Sequence, residues 1–122
     1  MKNIAKQYHT AVAEADEAAL RALFAPGATV WHNHDRKLIP FEESANSFTL
    51  WLADFDSYSC TIDRAIEGPN HLVLQDTIIG QLKGSVGGEA KPFKAHYCLV
   101  FHIEAGKVIH LDEYVDPQTV SR

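Results

Sequence analysis

Apolar side chains recur at helical spacing through the N-terminal part of the chain: Ile4, Tyr8, Val12, Ala15, Ala19 and Leu23, with Leu20 and Phe24 widening the stripe. Steps of three and four put these residues on one side of an α-helix. The pattern predicts helix over 3–24, as one piece or as two in tandem bent near Asp16. Ala25-Pro26-Gly27 ends it, since proline cannot continue the hydrogen-bond ladder and glycine supports a turn. The period then changes. In Ala28-Thr29-Val30-Trp31-His32-Asn33-His34-Asp35, alternation puts Val30, His32 and His34 on one face of a strand, with His34 and Asp35 reaching the loop after it. Pro40 followed by Glu42 and Glu43 marks a second helical start, because proline suits the first position and carboxylates suit the positive end of the dipole. That helix runs to about Ala53, and Phe48, Trp51 and Phe55 form one bulky face.

The rest reads as strand: 58–66, 72–82, 93–104 and 107–115, separated by Gly-Pro-Asn, Gly-Ser-Val-Gly-Gly and Glu-Ala-Gly. Connections this short make the strands antiparallel neighbours. Helices followed by a meander give an α+β plan, with the helices on one face of a curved sheet and one domain over 1–122. The strand over 93–104 divides into His96, Cys98, Val100 and His102 on one face and Tyr97, Leu99, Phe101 and Ile103 on the other. Both faces are too apolar for water, so one meets the helices and the other a second copy of the chain. The expected partner surface is the open sheet face carrying Tyr97, Leu99 and Phe101, which would make the protein a homodimer.

Composition narrows the partners. The 122 residues carry 11 basic and 16 acidic side chains, a formal net charge of −5, with no cluster of Lys and Arg. Nucleic acid and anionic membrane surfaces are poor matches for that balance, and a neutral or weakly polar small molecule is a better one. Cys60 and Cys98 lie inside apolar or β-branched strands and read as buried thiols of a reducing compartment. The start, Met1-Lys2-Asn3-Ile4-Ala5-Lys6, lacks the apolar core of a signal peptide, and no run reaches membrane-spanning length. The expected location is the cytoplasm.

Candidate chemistry concentrates on three residues. His32 offers a neutral imidazole that accepts a proton near neutral pH, from a carbon beside a carbonyl or from water. Tyr8, on the apolar helical face, offers an O–H to a developing enolate oxygen. Glu113 alternates with Leu111 and Val115, which turns it inward, where it would orient His32 or act as the base itself. His32, His34, His96, His102, His110 and Asp112 are metal donors by type but lack a recognised ligand spacing, so no metal and no cofactor is assigned.

The passage Leu23-Phe24-Ala25-Pro26-Gly27-Ala28-Thr29-Val30 and the ending Gly106-Lys107-Val108-Ile109 with Glu113-Tyr114-Val115-Asp116 resemble the ketosteroid isomerase, SnoaL and nuclear transport factor 2-like superfamily. The resemblance covers essentially the whole chain and implies a cone-shaped barrel of helices packed in a strongly curved antiparallel sheet. By that resemblance Tyr8 matches the isomerase tyrosine that donates to the steroid oxyanion, and His32 stands where an aspartate moves the proton. Cys98 matches the aspartic acid that assists the tyrosine, and Glu113 a position carrying a functional carboxylate in limonene epoxide hydrolases. A thiol donates far more weakly than a neutral carboxylic acid, which argues against steroid isomerisation itself. The implied site is an apolar pocket with Tyr8, His32, His96, Cys98 and Glu113 as its polar groups and Phe48, Trp51 and Phe55 as its walls. It suits an isomerase, cyclase or lyase acting on a hydrophobic carbonyl compound. The alternative is a module that binds a ligand or a protein without catalysis.

Overall fold

The computed structural model describes residues 2–84 and 91–116. Helix α1 spans Lys2–Ala13 and α2 spans Glu17–Ala22. The break between them falls where Ala15 takes a positive φ of 52° and the Asp16 carboxylate caps α2 by accepting from the Ala19 amide at 3.0 Å. Strand β1 (Phe24–His32) starts at once, so Pro26 and Gly27 sit inside an edge-like irregularity of that strand rather than in a separate turn. After the turn at 33–36 the short strand β2 (Lys37–Pro40) folds back on β1. Four mostly exposed residues ending in proline carry too little pattern to announce a strand. Helix α3 (Phe41–Leu52) follows, then β3 (Phe55–Glu67), β4 (His71–Leu82), β5 (Lys91–Glu104) and β6 (Lys107–Val115). The expected Gly-Ser-Val-Gly-Gly connection lies outside the described residues beyond Gly84.

The six strands form one open, curved sheet in the order β2-β1-β6-β5-β4-β3. The meander β3 to β6 is antiparallel, but β1 pairs with β6 in parallel, so the sheet is mixed. The long connection from β1 to β6, through β2, α3 and the meander, is what lets the first and last strands run the same way. An extra residue in β6, between the pairs His102 with His110 and Ile103 with Val108, sets the facing of that strand. Leu111 is then buried beneath the helices, while His110 and Asp112 point to the outer face.

The helices cover the concave face, where Leu72, Leu74, Leu99 and Phe101 are at most 1% exposed. Burying four such side chains contributes on the order of 6 to 12 kcal/mol of transfer free energy. The surface expected to pair two copies therefore needs correcting. Leu99 and Phe101 form the core under α1, and Tyr97 packs against that core. Cys98 is half-buried and His96 exposed on the opposite face, so Cys98 is not the fully buried thiol expected, whereas Cys60 is buried. Among the described residues, no helix is long and apolar enough to cross a membrane.

Candidate active site

The concave face and α3 enclose a cavity of about 540 Å³, within the usual range for a small-molecule site. Its depth is walled by Tyr8, Phe48, Trp51, Ile78, Tyr97 and Leu99, while exposed His34, Asp35, Lys37 and Glu43 stand at the mouth. Two hydrogen bonds pin α1 on β3: the Tyr58 hydroxyl donates to the Val12 carbonyl at 2.6 Å, and His9 Nε2–H donates to the Cys60 carbonyl at 2.7 Å. Together they fix the helix that carries Tyr8.

The parallel pairing of β1 with β6 sets His32 directly opposite Glu113. Asn33 holds that junction. Its amide donates to the Glu113 carbonyl at 3.1 Å, its Nδ2 donates to the Val115 carbonyl at 3.2 Å, and its Oδ1 accepts from the Val115 amide at 2.9 Å. His32 Nε2 lies 3.8 Å from Glu113 Oε2, too far for a hydrogen bond but near enough for a proton or charge to be shared through a small shift. The side chains are 13% and 27% exposed, and both line the cavity. Burial lowers the His32 pKa from 6.5, with help from His34. Burial, reinforced by the charge of Asp76, pushes Glu113 up to about 7. The two shifts run toward each other, so the carboxyl and the imidazole come to hold a proton with similar strength.

Asp76 is the second buried carboxyl, 3% exposed and lining the same cavity. Cys60 donates its thiol to Oδ2 at 3.7 Å, while Oδ1 has no hydrogen-bond partner among the described residues. Burial pushes Asp76 up to about 7, against the opposing hydrogen bond from Cys60. Tyr8 and Tyr97 are both held above the ordinary phenol range, first by burial and then by the two carboxylates. Both phenols therefore stay protonated and available as donors. The cavity thus gathers two carboxyls that resist ionisation, a neutral imidazole and two O–H donors in apolar walls. Groups so perturbed mark functional sites more often than structural ones.

Residues 5–111 match the family model of the SnoaL-like domain. The chain belongs to the SnoaL-like domain family. The fold agrees with solved members and neighbours at low sequence identity. IdmH from Streptomyces antibioticus, described as a candidate polyketide cyclase, superposes with a TM-score of 0.86 at 15% identity, over 98% of this chain and 94% of IdmH. A protein of ketosteroid isomerase-like fold from Catenulispora acidiphila, in complex with trimethylamine, gives 0.79 at 18% identity over 96% and 88% of the two chains. A limonene epoxide hydrolase-like enzyme of Mycobacterium tuberculosis gives 0.74 at 13% identity over 97% and 84%. No curated protein matches the sequence.

In this SnoaL-like domain the fold brings together five of the residues singled out from sequence: Tyr8, His32, Glu113, Phe48 and Trp51. Three others lie elsewhere. His96 and Cys98 border a separate depression on the outer face, because β5 turns Tyr97 rather than Cys98 inward. An offset of one residue reverses the facing of a whole strand. Phe55 is buried behind the wall, meeting Trp51 edge-on at 5.0 Å. Asp76 and Tyr97 are the additions. Asp76 had a readable signal, since Leu72, Leu74, Asp76 and Ile78 alternate and place an acid in an otherwise apolar row. On the outer face, the nearest approach to a metal-ligand group among the described residues is His102, His110 and Asp112.

Proposed function

We propose that this SnoaL-like domain is an enzyme that moves a proton at a carbon beside a carbonyl in a small, mostly apolar molecule, as an isomerase, cyclase or lyase does. The observation that carries the reading is Glu113, a cavity-lining carboxyl raised to about 7 and 3.8 Å from a neutral imidazole. A carboxylate kept only for structure would be saturated with hydrogen bonds or paired with a cation. The base is assigned to the His32 and Glu113 pair, with Glu113 taking the proton because its carboxyl lines the cavity and is raised toward neutrality. As the C–H bond breaks, its electron pair moves into the carbonyl to give an enolate. Tyr8, Tyr97 and protonated Asp76 are the donors available to that oxygen. The proton then returns to a second atom of the substrate from Glu113 or through His32. The neighbour described as a candidate polyketide cyclase supports this reaction class.

The test is proton exchange in deuterated water with a panel of one- to three-ring ketones, followed by mass spectrometry. At least one ketone is expected to gain deuterium faster than in buffer. His32→Ala should slow that exchange about 10- to 100-fold while leaving binding intact, as befits a relay rather than the primary base. Tight binding of the panel with no exchange would make the non-catalytic binding module the better reading.

The reading extends to a pair of copies, now through the outer face. There Val73 faces Val100 and Cys98 faces Tyr114 across neighbouring strands, and Tyr114, 44% exposed, packs on Trp31 at 5.4 Å. Sedimentation at micromolar concentration is expected to give twice the chain mass, and a monomer would remove the pairing.

A further inference from the structure

We propose that His102, His110 and Asp112 form a binding site for a divalent transition-metal ion such as zinc, on the face of the sheet opposite the cavity. Pairing across four strands aligns Thr29 with His110, His110 with His102 and His102 with His71. This makes one continuous row from β1 to β4. Asp112 stands two residues along β6, on the same face as His110. His110 Nε2 lies 2.7 Å from one Asp112 oxygen and His102 Nε2 lies 3.0 Å from the other. The three ligand atoms all fall within 4.8 Å of one another. An ion bound at about 2.0–2.1 Å to each needs ligand atoms roughly 3.4 Å apart, so a small outward shift makes room for it. Two imidazoles and a carboxylate suit zinc, cobalt or nickel better than magnesium or calcium.

The far side of each ring is equally prepared. His102 Nδ1 faces His71 Nε2 at 3.1 Å, and His110 Nδ1 faces the Thr29 hydroxyl at 2.8 Å. Without an ion, both Nε2–H groups donate to Asp112, and each Nδ1 accepts from the partner behind it. With an ion, each Nε2 must present a lone pair and each Nδ1 must become the donor. Both back partners can accept as readily as they donate, so the rings change tautomer without losing a hydrogen bond. The side chains of His102, His110 and Asp112 are 32%, 24% and 28% exposed, which leaves an entry path in the single chain, before the outer face pairs.

The test is titration of the untagged chain with Co2+, read by its visible d–d absorption, and with Zn2+ by calorimetry. One equivalent of each is expected to bind. Asp112→Asn and His110→Ala should each weaken binding more than tenfold, and the near-isosteric Thr29→Val, which leaves every ligand in place, about tenfold. Unchanged Co2+ binding in Asp112→Asn and His110→Ala would overturn the site. So would the absence of a d–d band, or loss of binding in His34→Ala, which would place the ion at the cavity mouth instead. Unchanged circular dichroism of each variant separates loss of ligand from loss of fold.

Discussion

Glu113→Gln is expected to lower the exchange rate about 1,000-fold, within the span that a positioned general base contributes, while leaving ligand affinity within a few-fold of the parent. Glutamine keeps the shape and the hydrogen-bonding oxygen but cannot take a proton. The wall formed by Tyr8, Phe48 and Trp51 is untouched, so binding survives the change. The accompanying pH profile carries a sign. Burial raises Glu113 from 4.5 to about 7, so the working carboxylate accumulates only as pH rises through that value. Activity should rise as Glu113 ionises and then fall by up to about tenfold as Asp76 ionises and ceases to donate, with no further fall from Tyr8 and Tyr97, whose phenols are displaced upward. With both carboxyls near 7, the two limbs overlap and belong to the pair jointly. A glutamine variant retaining a tenth or more of the parent rate would transfer the base role to His32.

How much of this was legible before the structure depends on the element. Helical spacing from Ile4 to Leu23 located the N-terminal layer because a helical stripe is a local signal, while the choice between one helix and two bent near Asp16 is decided by the Asp16 cap of α2. The strands 58–66, 72–82, 93–104 and 107–115 lie within β3 to β6 for the same reason. Facing was harder. Alternation in β5 separates Tyr97, Leu99 and Phe101 from His96, Cys98 and Val100, but both sets are apolar enough for a core. Only the position of α1 over the concave side decides between them, and that contact is long-range. The parallel pairing of β1 with β6 is of the same kind, and apart from the family resemblance nothing in the spacing brings together His32 and Glu113, 81 residues apart. The row from Thr29 to His71 is likewise invisible in sequence spacing, since its four members come from four strands.

Asp76→Asn is expected to make the protein more stable at neutral and alkaline pH and less active at the same time. The carboxyl is 3% exposed and one of its oxygens has no hydrogen-bond partner among the described residues, so the folded state disfavours its charge. Its pKa rises from the ordinary 3.8 to about 7 on folding. Between those values the folded chain binds more protons than the unfolded chain, so the parent loses stability as pH rises through that window. Below it the carboxyl is protonated in both states and contributes no difference. Three tenfold steps at about 1.4 kcal/mol each set an upper value of about 4 kcal/mol above pH 7. The buried amide of asparagine has a desolvation cost of its own, so a gain of roughly 2 to 3 kcal/mol is expected. Urea unfolding at about pH 4 and about pH 8 reads the effect, with the variant about 1 to 2 kcal/mol behind the parent at the lower value and ahead at the higher. Asparagine still donates an N–H toward a substrate oxygen, so activity should fall only about tenfold. Removing the Asp76 charge should also move the rising limb of the pH profile downward, because that charge helps hold Glu113 up. A carboxyl serving only the fold would behave in the opposite way, and a variant less stable than the parent at the higher pH would exclude Asp76 from the chemistry proposed for the cavity.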